Sequence, residues 1–382
     1  NDDLNNSGIT NYNYGSAEVY QNIDGNWQQL GSKLEGLTKG VQQGWHVSLS
    51  NDGLTLSIVT TKSNNTAEGL TACGRVKVYS WDGTEWNLKG ESITGKYTSG
   101  RIHEAHLSGD GNHLVLGSPQ TNGGYVEVYS YDSVEEEWEQ VGDEIIGSGT
   151  QANEKFGYSV DISDDGNLIA VGAWGYDQDG ISNRGAVRIY ELVSGDWELL
   201  GDAIIGEQST DQFGYSVALS ADGHTVAIGG RTHDIGSNTA NQGCARVYQF
   251  NGTNWELIGE QIDGVQTQEH FGSKVTLSDD GSILAVSAPK YNNQAGQVRV
   301  YELQEGQWTQ RGTHLDGESA NDLLGRIHGL SLSGDGTKVA VGALGHDIPS
   351  GPRNAGQVKV FDYSGITITQ GDNTDDSGNL IT

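Results

Sequence analysis

The side chains best suited to chemistry in this sequence occur in two copies of one tripeptide. Arg101 and His103 flank Ile102, and the same arrangement returns as Arg326 and His328. An arginine fork binds carboxylate or sulfate, and a histidine exchanges protons near neutral pH. The pairs therefore suit an acidic glycan, bound as a ligand or attacked by general acid–base chemistry. The alternative interpretation is that the repeats have diverged in sequence. These side chains would then only form hydrogen bonds to one another or to backbone carbonyls.

A second group of candidates lies in three long polar segments between strand-like runs. The candidates are Asp177, the pair His233 and Asp234, and the pair His346 and Asp347. Carboxylates beside an imidazole or an aromatic ring could hold sugar hydroxyls or a hard cation. The same residues also form Asx-turns, which would only order the loop. Both interpretations stay open at this stage.

Motifs of several common enzyme classes are missing from the sequence. It contains no GxSxG elbow, no phosphate-binding glycine loop, no CxxC and no HExxH. His103 and His106 have a spacing that suits a metal on a helix, but on a strand these positions face opposite sides. We therefore predict no metal site there. We expect His106, with His46 and Glu104, to neighbour the Arg–His pairs.

One sequence motif, called here the tryptophan phrase, recurs through the chain and indicates which elements must position these residues. It consists of Trp, three residues, Gly, two residues, an aliphatic residue, one residue and Gly, and its copies are 52 to 59 residues apart. The copies begin at Trp27, Trp86, Trp138, Trp197, Trp255 and Trp308. A period of this length indicates a repeat architecture in which each unit buries its core against its neighbours. We interpret all six tryptophans as packing residues.

Each repeat unit is predicted to form four strands. In the unit that starts at Phe156, two apolar runs flank an Asp-Gly turn, a polar loop follows, and two more runs end in the tryptophan phrase. The Asp-Gly turn recurs six times. No segment has a period of 3.6 residues, so we expect almost no helix. Four antiparallel strands repeated radially form a β-propeller.

The number of blades depends on how the two ends of the chain are used. Seven third strands can be recognised, from residues 18–20 to residues 359–361, but only six pairs of first and second strands. We predict a single domain over residues 1–382, an all-β propeller with seven four-stranded antiparallel blades. Residues 366–369 would supply the last fourth strand, and residues 371–382 and 1–14 the missing pair. Six blades plus a terminal stub is the alternative.

Composition and charge exclude two classes of partner. The chain has 21 basic and 51 acidic residues, which gives a net charge of −30. Such a surface repels nucleic acid and anionic membranes. No apolar run is long enough to span a bilayer. We therefore expect no nucleic-acid partner and no membrane insertion.

The repeat resembles a known family. Phe156-Gly157, residues 171–173 and residues 185–190 are similar to the FG-GAP repeat of integrin α-subunit propellers. The unit is closer still to the tandem WxxLGxxIxG repeats of secreted and surface proteins from marine bacteria and microalgae. This resemblance covers roughly residues 15–363. It implies an extracellular protein, secreted or on the cell surface, that works in adhesion or ligand binding rather than in catalysis.

The sequence departs from this family at the calcium loop. Calcium-binding FG-GAP units carry a DxDxDG loop between the first two strands, with several oxygens that converge on one ion. Here that connection has only two or three residues, as in 163–166. It cannot supply six ligands, so we predict no integrin-type calcium site, no metal ligand and no cofactor. A looser calcium requirement stays open.

Three functional hypotheses follow from these observations. The first is a binding or adhesive scaffold that recognises a glycan or an extracellular protein through the loop face of the propeller. The second is a polysaccharide lyase or hydrolase that uses Arg101, His103, Arg326 and His328 at the mouth of the central channel. The third is a structural subunit that self-associates through its terminal strands.

Overall fold

A computed structural model describes most of the chain. The described residues are 14–38, 40–121, 123–148, 153–236, 240–347 and 354–365. In this part of the chain, every regular element is a strand except α1 (Tyr291–Gln294), a short turn in which Asn292 and Asn293 have non-helical φ of 46° and 57°. The prediction of an all-β fold with almost no helix is confirmed. No helix in these residues is long and apolar enough to cross a membrane.

The chain divides into two compact units. The N-terminal unit comprises Asn1–Asn167 and Leu192–Glu198, and the C-terminal unit comprises Leu168–Glu191 and Leu199–Thr382. The strands that begin in the N-terminal unit are β1 (Ser16–Ala17), β2 (Tyr20–Ile23), β3 (Asn26–Gln29), β4 (Leu34–Glu35), β5 (Gln43–Leu49), β6 (Thr55–Thr60), β7 (Arg75–Trp81), β8 (Trp86–Leu88), β9 (Ile93–Thr94), β10 (Glu104–Leu107), β11 (His113–Ser118), β12 (Tyr125–Asp132), β13 (Glu137–Gln140), β14 (Ile145–Ile146), β15 (Phe156–Ile162) and β18 (Asp196–Leu199). Those of the C-terminal unit are β16 (Leu168–Ala173), β17 (Ala186–Val193), β19 (Ile204–Ile205), β20 (Phe213–Leu219), β21 (Thr225–Gly230), β22 (Cys244–Phe250), β23 (Trp255–Leu257), β24 (Ile262–Asp263), β25 (Val275–Leu277), β26 (Ile283–Ala288), β27 (Gln297–Gln304), β28 (Gln307–Gln310), β29 (Leu315–Asp316), β30 (Leu330–Leu332), β31 (Lys338–Ala343) and β32 (Gln357–Asp362).

The blades are antiparallel sheets with one recurring strand order. In the N-terminal unit, β5-β6-β7-β8 and β10-β11-β12-β13 each form a sheet, and a short fifth strand pairs with the third. In the C-terminal unit, β20-β21-β22-β23 and β25-β26-β27-β28 repeat this arrangement. The second strand of each of these blades is almost entirely buried, because both faces of the sheet are covered.

The described residues contain six blades, so the prediction of seven was wrong and the alternative of six blades holds. Counted by their paired second and third strands, the blades are β6–β7, β11–β12, β16–β17, β21–β22, β26–β27 and β31–β32. The fold is an all-β propeller.

The N-terminal strands form the expected stub. They make only two short ladders, β1–β4 and β2–β3. Strand β2 corresponds to the third strand of a blade. In the described part of the chain it pairs with no second strand, so it does not complete a seventh blade. The closing strands predicted from residues 366–369, 371–382 and 1–13 lie outside the described residues.

Five of the six repeat tryptophans pack as predicted. Each indole donates its Nε1–H to a backbone carbonyl of the preceding repeat, at 2.8 to 3.0 Å. The pairs are Trp86 with Leu30, Trp138 with Lys89, Trp197 with Val141, Trp255 with Leu200, and Trp308 with Ile258. Trp27 is 53% exposed, so the packing interpretation is wrong for this copy.

The hairpin turn between the first two strands is closed by its own side chains. In the blade of β20 and β21, Ser220 Oγ lies 2.6 Å from Asp222 Oδ1, and the same carboxylate oxygen accepts the amide of His224 at 3.0 Å. Gly223 takes the positive φ of 71° that the turn requires. The Asp-Gly phrases are thus structural.

Candidate functional site

The loops that carry the candidate residues leave one end of each blade. In the blade of β20–β24, Phe213 at the start of the first strand pairs with Gly230 at the end of the second. The loop after β21 and the connection before β20 therefore lie at the same end, which we call the loop end. The Asp222 turn lies at the opposite end.

The three predicted aspartates of the loops each close their own loop. The Oδ1 atom of each aspartate accepts a hydrogen bond from the backbone amide of the residue six or seven positions later, at 2.5 to 2.7 Å. The pairs are Asp177 with Asn183, Asp234 with Asn241, and Asp347 with Asn354. All three sit in the C-terminal unit. These short, charge-assisted bonds join the two ends of each loop, which supports a structural role for the aspartates, although they span more residues than an Asx-turn does.

The two predicted loop histidines fasten one connection to another. His233 Nδ1 lies 3.0 Å from Asp211 Oδ1, and both residues are buried. His346 Nδ1 lies 3.3 Å from Asp322 Oδ2. Asp211 and Asp322 belong to the connections that precede the first strands, so each pair ties the loop after the second strand to that connection.

Four buried acids at the loop end were missed by the sequence analysis. Each is at most 2% exposed and accepts one or more backbone amides at 2.7 to 3.2 Å. They are Glu154, Asp211, Glu269 and Asp322. The signal was available, because each acid stands two residues before Phe156, Phe213, Phe271 or Leu324. Amide donors stabilise a buried carboxylate, and the acid in turn holds the connection.

The Arg101 triplet can be compared with Phe156, Phe213 and Phe271, which in other blades mark one buried position at or just before the first strand, called here the phenylalanine position. Ile102, which is fully buried, takes the phenylalanine position. Its amide donates to Cys73 O at 3.3 Å, as the amide of Phe213 donates to Arg184 O. Arg101 precedes this position, is exposed and has a positive φ of 56°.

The second triplet occupies a different place. In the last blade Leu324 takes the phenylalanine position, with its amide 3.0 Å from Ala295 O. Arg326 therefore follows that position by two residues, whereas Arg101 precedes it by one. Arg326 is exposed and His328 is half-buried. The two triplets are not equivalent, because the first strands of these blades differ in length before the hairpin serine.

His103 is held by aromatic groups and one carbonyl. Its Nδ1 lies 2.8 Å from Tyr158 O, and its ring stacks on the Tyr158 ring with centroids 4.2 Å apart. Trp45 approaches edge-on at 5.8 Å. A contact with a carbonyl requires a proton on Nδ1, so in the neutral ring Nε2 is the acceptor.

His106 makes different contacts. Its Nδ1 lies 3.3 Å from Asp161 Oδ1, and its ring centroid lies 4.6 Å from that of His46. Glu104 is buried, and its Oε2 accepts the amide of Val160 at 3.0 Å. The N-terminal unit therefore brings His46 and His106 together and directs His103 to other partners.

A cluster of basic groups at the loop end of the C-terminal unit was also missed. The Arg231 guanidinium lies 3.9 Å above the Tyr215 ring, and its Nε donates to Gln212 Oε1 at 2.7 Å. Lys290 Nζ lies 3.4 Å from His270 Nε2. Burial and the charges of Lys290 and Arg231 lower the pKa of His270 to about 4. We call Arg231, His270 and Lys290 the basic cluster.

The two cysteines carry no chemistry that the site uses. Cys73 and Cys244 are both buried free thiols. Burial raises the pKa of the Cys244 thiol, so it stays protonated and unreactive at neutral pH.

Comparison with known proteins supports the repeat assignment. The sequence profile described as FG-GAP repeat matches residues 138–190. The chain folds as a β-propeller, and this stretch of it is similar to the FG-GAP repeat. No curated protein matches it in sequence. The similarity to repeats of marine bacteria and microalgae stays a prediction.

Solved structures share the propeller fold of this chain at low sequence identity. A putative 6-phosphogluconolactonase from Bacteroides uniformis is 10% identical, with a TM-score of 0.59 over 96% of this chain and 93% of that one. Another from Bacteroides fragilis is 13% identical, with a TM-score of 0.57 over 99% and 95%. A periplasmic gluconolactonase from Pseudomonas aeruginosa is 16% identical, with a TM-score of 0.55 over 92% and 93%. At such identity, these likenesses concern the fold alone.

Proposed function

We propose that this propeller is an extracellular binding scaffold that recognises a glycan or a protein through the loop end of its blades. The observation that carries the proposal is the repeated closure of the loops by Asp177, Asp234 and Asp347. Three blades of the C-terminal unit use the same device at the same place. Each of these bonds fixes the two ends of its loop relative to each other.

The physical benefit of this arrangement is preorganisation. A binding loop that is already ordered loses little conformational entropy when a ligand arrives. The pairs His233–Asp211 and His346–Asp322 add a second fastening between loops. Together these bonds favour a surface that binds without rearrangement.

The burial and hydrogen bonding of four acids at the loop end favour binding over catalysis. Glu154, Asp211, Glu269 and Asp322 are buried and accept backbone amides. A general acid must lie within reach of the substrate. These four carboxylates hold connections instead.

A sugar-directed hydrolase is the second candidate. Its support is the orientation of His103, whose Nδ1 contact with Tyr158 O leaves Nε2 as a proton acceptor in the neutral ring. The names of the structural neighbours, gluconolactonases, agree with a sugar-derived substrate for this candidate.

A screen against immobilised glycans and extracellular proteins, with and without calcium, tests the binding proposal. We expect saturable binding to a restricted set of targets and no turnover. Binding of nothing in either panel would contradict the scaffold. Turnover that disappears in His103→Gln would favour the hydrolase instead.

A pair of loop variants tests whether the loop end is responsible. Asp177→Ala together with Asp234→Ala removes two closures, and we expect affinity to fall about tenfold as the loops must be ordered on binding. Asp222→Ala is the matched control, because Asp222 accepts an amide in the same way at the opposite end of a blade. Equal losses in both variants would show that loop order at this end is not what binding requires.

A further inference from the structure

The basic cluster places two positive charges, those of Arg231 and Lys290, near the neutral His270 in a strongly acidic protein. Arg231, His270 and Lys290 come from two adjacent blades of the C-terminal unit, while the whole chain has a net charge of −30. The positive charges of Arg231 and Lys290 both make protonation of His270 less favourable. Like charges brought together raise the free energy of the folded state unless an anion offsets them.

The carboxylates nearest in sequence are already engaged elsewhere. Glu269, next to His270, pairs with Arg299 at 3.2 Å and accepts the amides of Val265 and Gln266. Asp211, next to Gln212, pairs with His233 and accepts the amides of Glu207 and Gln208. Within the described residues, neither acid forms an ion pair with the basic cluster.

The donors of the cluster are held in place for a ligand. Gln212 binds Nε of Arg231, and the Tyr215 ring supports the guanidinium plane at 3.9 Å. An arginine has five N–H donors, and in the described part of the chain the side chain of Arg231 donates only through Nε. Lys290 is exposed and adds a second donor.

An aromatic surface adjoins these donors. The half-buried Trp174 lies with its ring centroid 6.4 Å from that of Tyr215, in the same unit. Aromatic rings offer an apolar face to the C–H side of a sugar, while the neighbouring cations serve its acidic substituent. A neutral sugar would contact only the aromatic rings and would gain nothing from the cations.

We propose that the basic cluster binds the carboxylate or sulfate of an acidic sugar unit, with Trp174 beside the sugar ring. The inference rests on the proposed function, since it names the ligand class that the loop end would recognise. The anion would lie between Arg231 and Lys290. His270, neutral without a ligand, would become easier to protonate once the anion is bound.

Titration calorimetry with three probes tests this inference. The probes are a galacturonic acid trisaccharide, inorganic sulfate and a neutral galactose trisaccharide. We expect the acidic trisaccharide to bind, the neutral one to bind at least about tenfold more weakly, and the affinity to fall with salt. Equal affinity for the acidic and neutral trisaccharides would overturn the proposal.

Matched variants locate the site. Arg231→Gln and Lys290→Gln should each weaken binding of the acidic trisaccharide by about tenfold. Arg188→Gln is the control, because Arg188 also lies over a tyrosine ring, that of Tyr176 at 5.0 Å, outside the cluster. Losses no larger than in Arg188→Gln would place the site elsewhere.

An NMR titration of His270 provides a readout that does not depend on glycan affinity. Sulfate bound at the cluster should raise the pKa of His270, and Arg231→Gln should abolish the response. If glycans in the screen bind but this pKa does not move with sulfate or the acidic trisaccharide, the inference fails and the scaffold stands. If no immobilised target binds but His270 still responds, the anion site stands and the scaffold fails.

Discussion

Trp27 and Trp255 occupy the same position of the same phrase but have opposite environments. Trp255 is 8% exposed and donates its indole N–H to Leu200 O at 2.8 Å. Trp27 is 53% exposed, and the strands beside it, β2 and β3, are exposed throughout. The same sequence motif therefore supplies a tryptophan that can pack between repeats, whereas the neighbouring repeat determines whether its ring is buried.

This difference follows from how repeat proteins gain stability. A single unit cannot bury its apolar face, so most of its free energy of folding comes from the interface with a neighbour. Trp255 packs in a core cluster with Val226 and Ile228. For Trp27, the covering strands predicted from residues 1–13 and 371–382 lie outside the described residues.

The largest predicted contrast is between alanine substitutions at these two tryptophans. Trp255→Ala should lower the free energy of unfolding by about 4 kcal/mol, because it removes a buried ring and leaves a cavity. Trp27→Ala should change it by less than about 0.5 kcal/mol. Denaturant unfolding of both variants measures the difference, and equal losses would mean that Trp27 is buried in solution.

A second contrast compares a buried ion pair with an exposed one. Glu269 and Arg299 are buried, so Glu269→Gln should cost about 3 kcal/mol by leaving a charge without its partner. Glu18 and Lys33, at 3.5 Å near the N-terminal ladders, are partly exposed. Glu18→Gln should cost less than about 1 kcal/mol. The same unfolding assay compares them, and a large loss in Glu18→Gln would contradict the contrast.

A third contrast separates backbone strain from steric overlap. Gly25 and Gly201 both have positive φ, at 84° and 72°. A Cβ at Gly25 would meet nothing within 4 Å, whereas at Gly201 it would lie 3.1 Å from Trp255 Cδ1. Gly25→Ala should cost about 1 kcal/mol from φ alone, and Gly201→Ala about 2 kcal/mol. Melting temperatures that fall equally would show that the indole at Gly201 can move aside.

The smallest predicted effect concerns the partly exposed His270. Burial and the nearby Lys290 and Arg231 hold its folded pKa at about 4, below the unfolded value of 6.5. Between these values the unfolded chain binds more protons, so this contribution to stability is present above pH 6.5 and is lost as the pH falls towards 4. We expect a change on the order of 1 kcal/mol after discounting for exposure. His270→Gln should remove this pH dependence, and parallel stability curves for the two proteins would contradict it.

The elements that sequence reasoning predicted well are those controlled by local chemistry. The Asp-Gly turns form because Asp222 accepts a backbone amide within the turn and Gly223 adopts the positive φ that the turn requires. The second strands form because apolar runs such as Leu168–Ala173 are buried on both faces. These features repeat within each unit and need no information from elsewhere in the chain.

The elements that it missed depend on register. Ile102 occupies the phenylalanine position, where its side chain is buried, although Arg101 and Arg326 stand equally far before the hairpin serines of their blades. The lengths of the first strands vary between blades, and only packing shows where the missing or extra residues fall. The basic cluster was missed for a similar reason, because His270 and Lys290 come from different segments that meet only in the fold.

The amino-acid sequence was enough to identify the repeat, its four strands, its tight turns and most of the residues that pack between neighbouring repeats. These depend on contacts close in the chain or on a period that recurs throughout it. The number of blades, the exposure of one tryptophan and the contacts between charged side chains became known from the tertiary structure. Those outcomes depend on pairing between distant segments, whose free energy is shared among many contacts and is not written in any one of them.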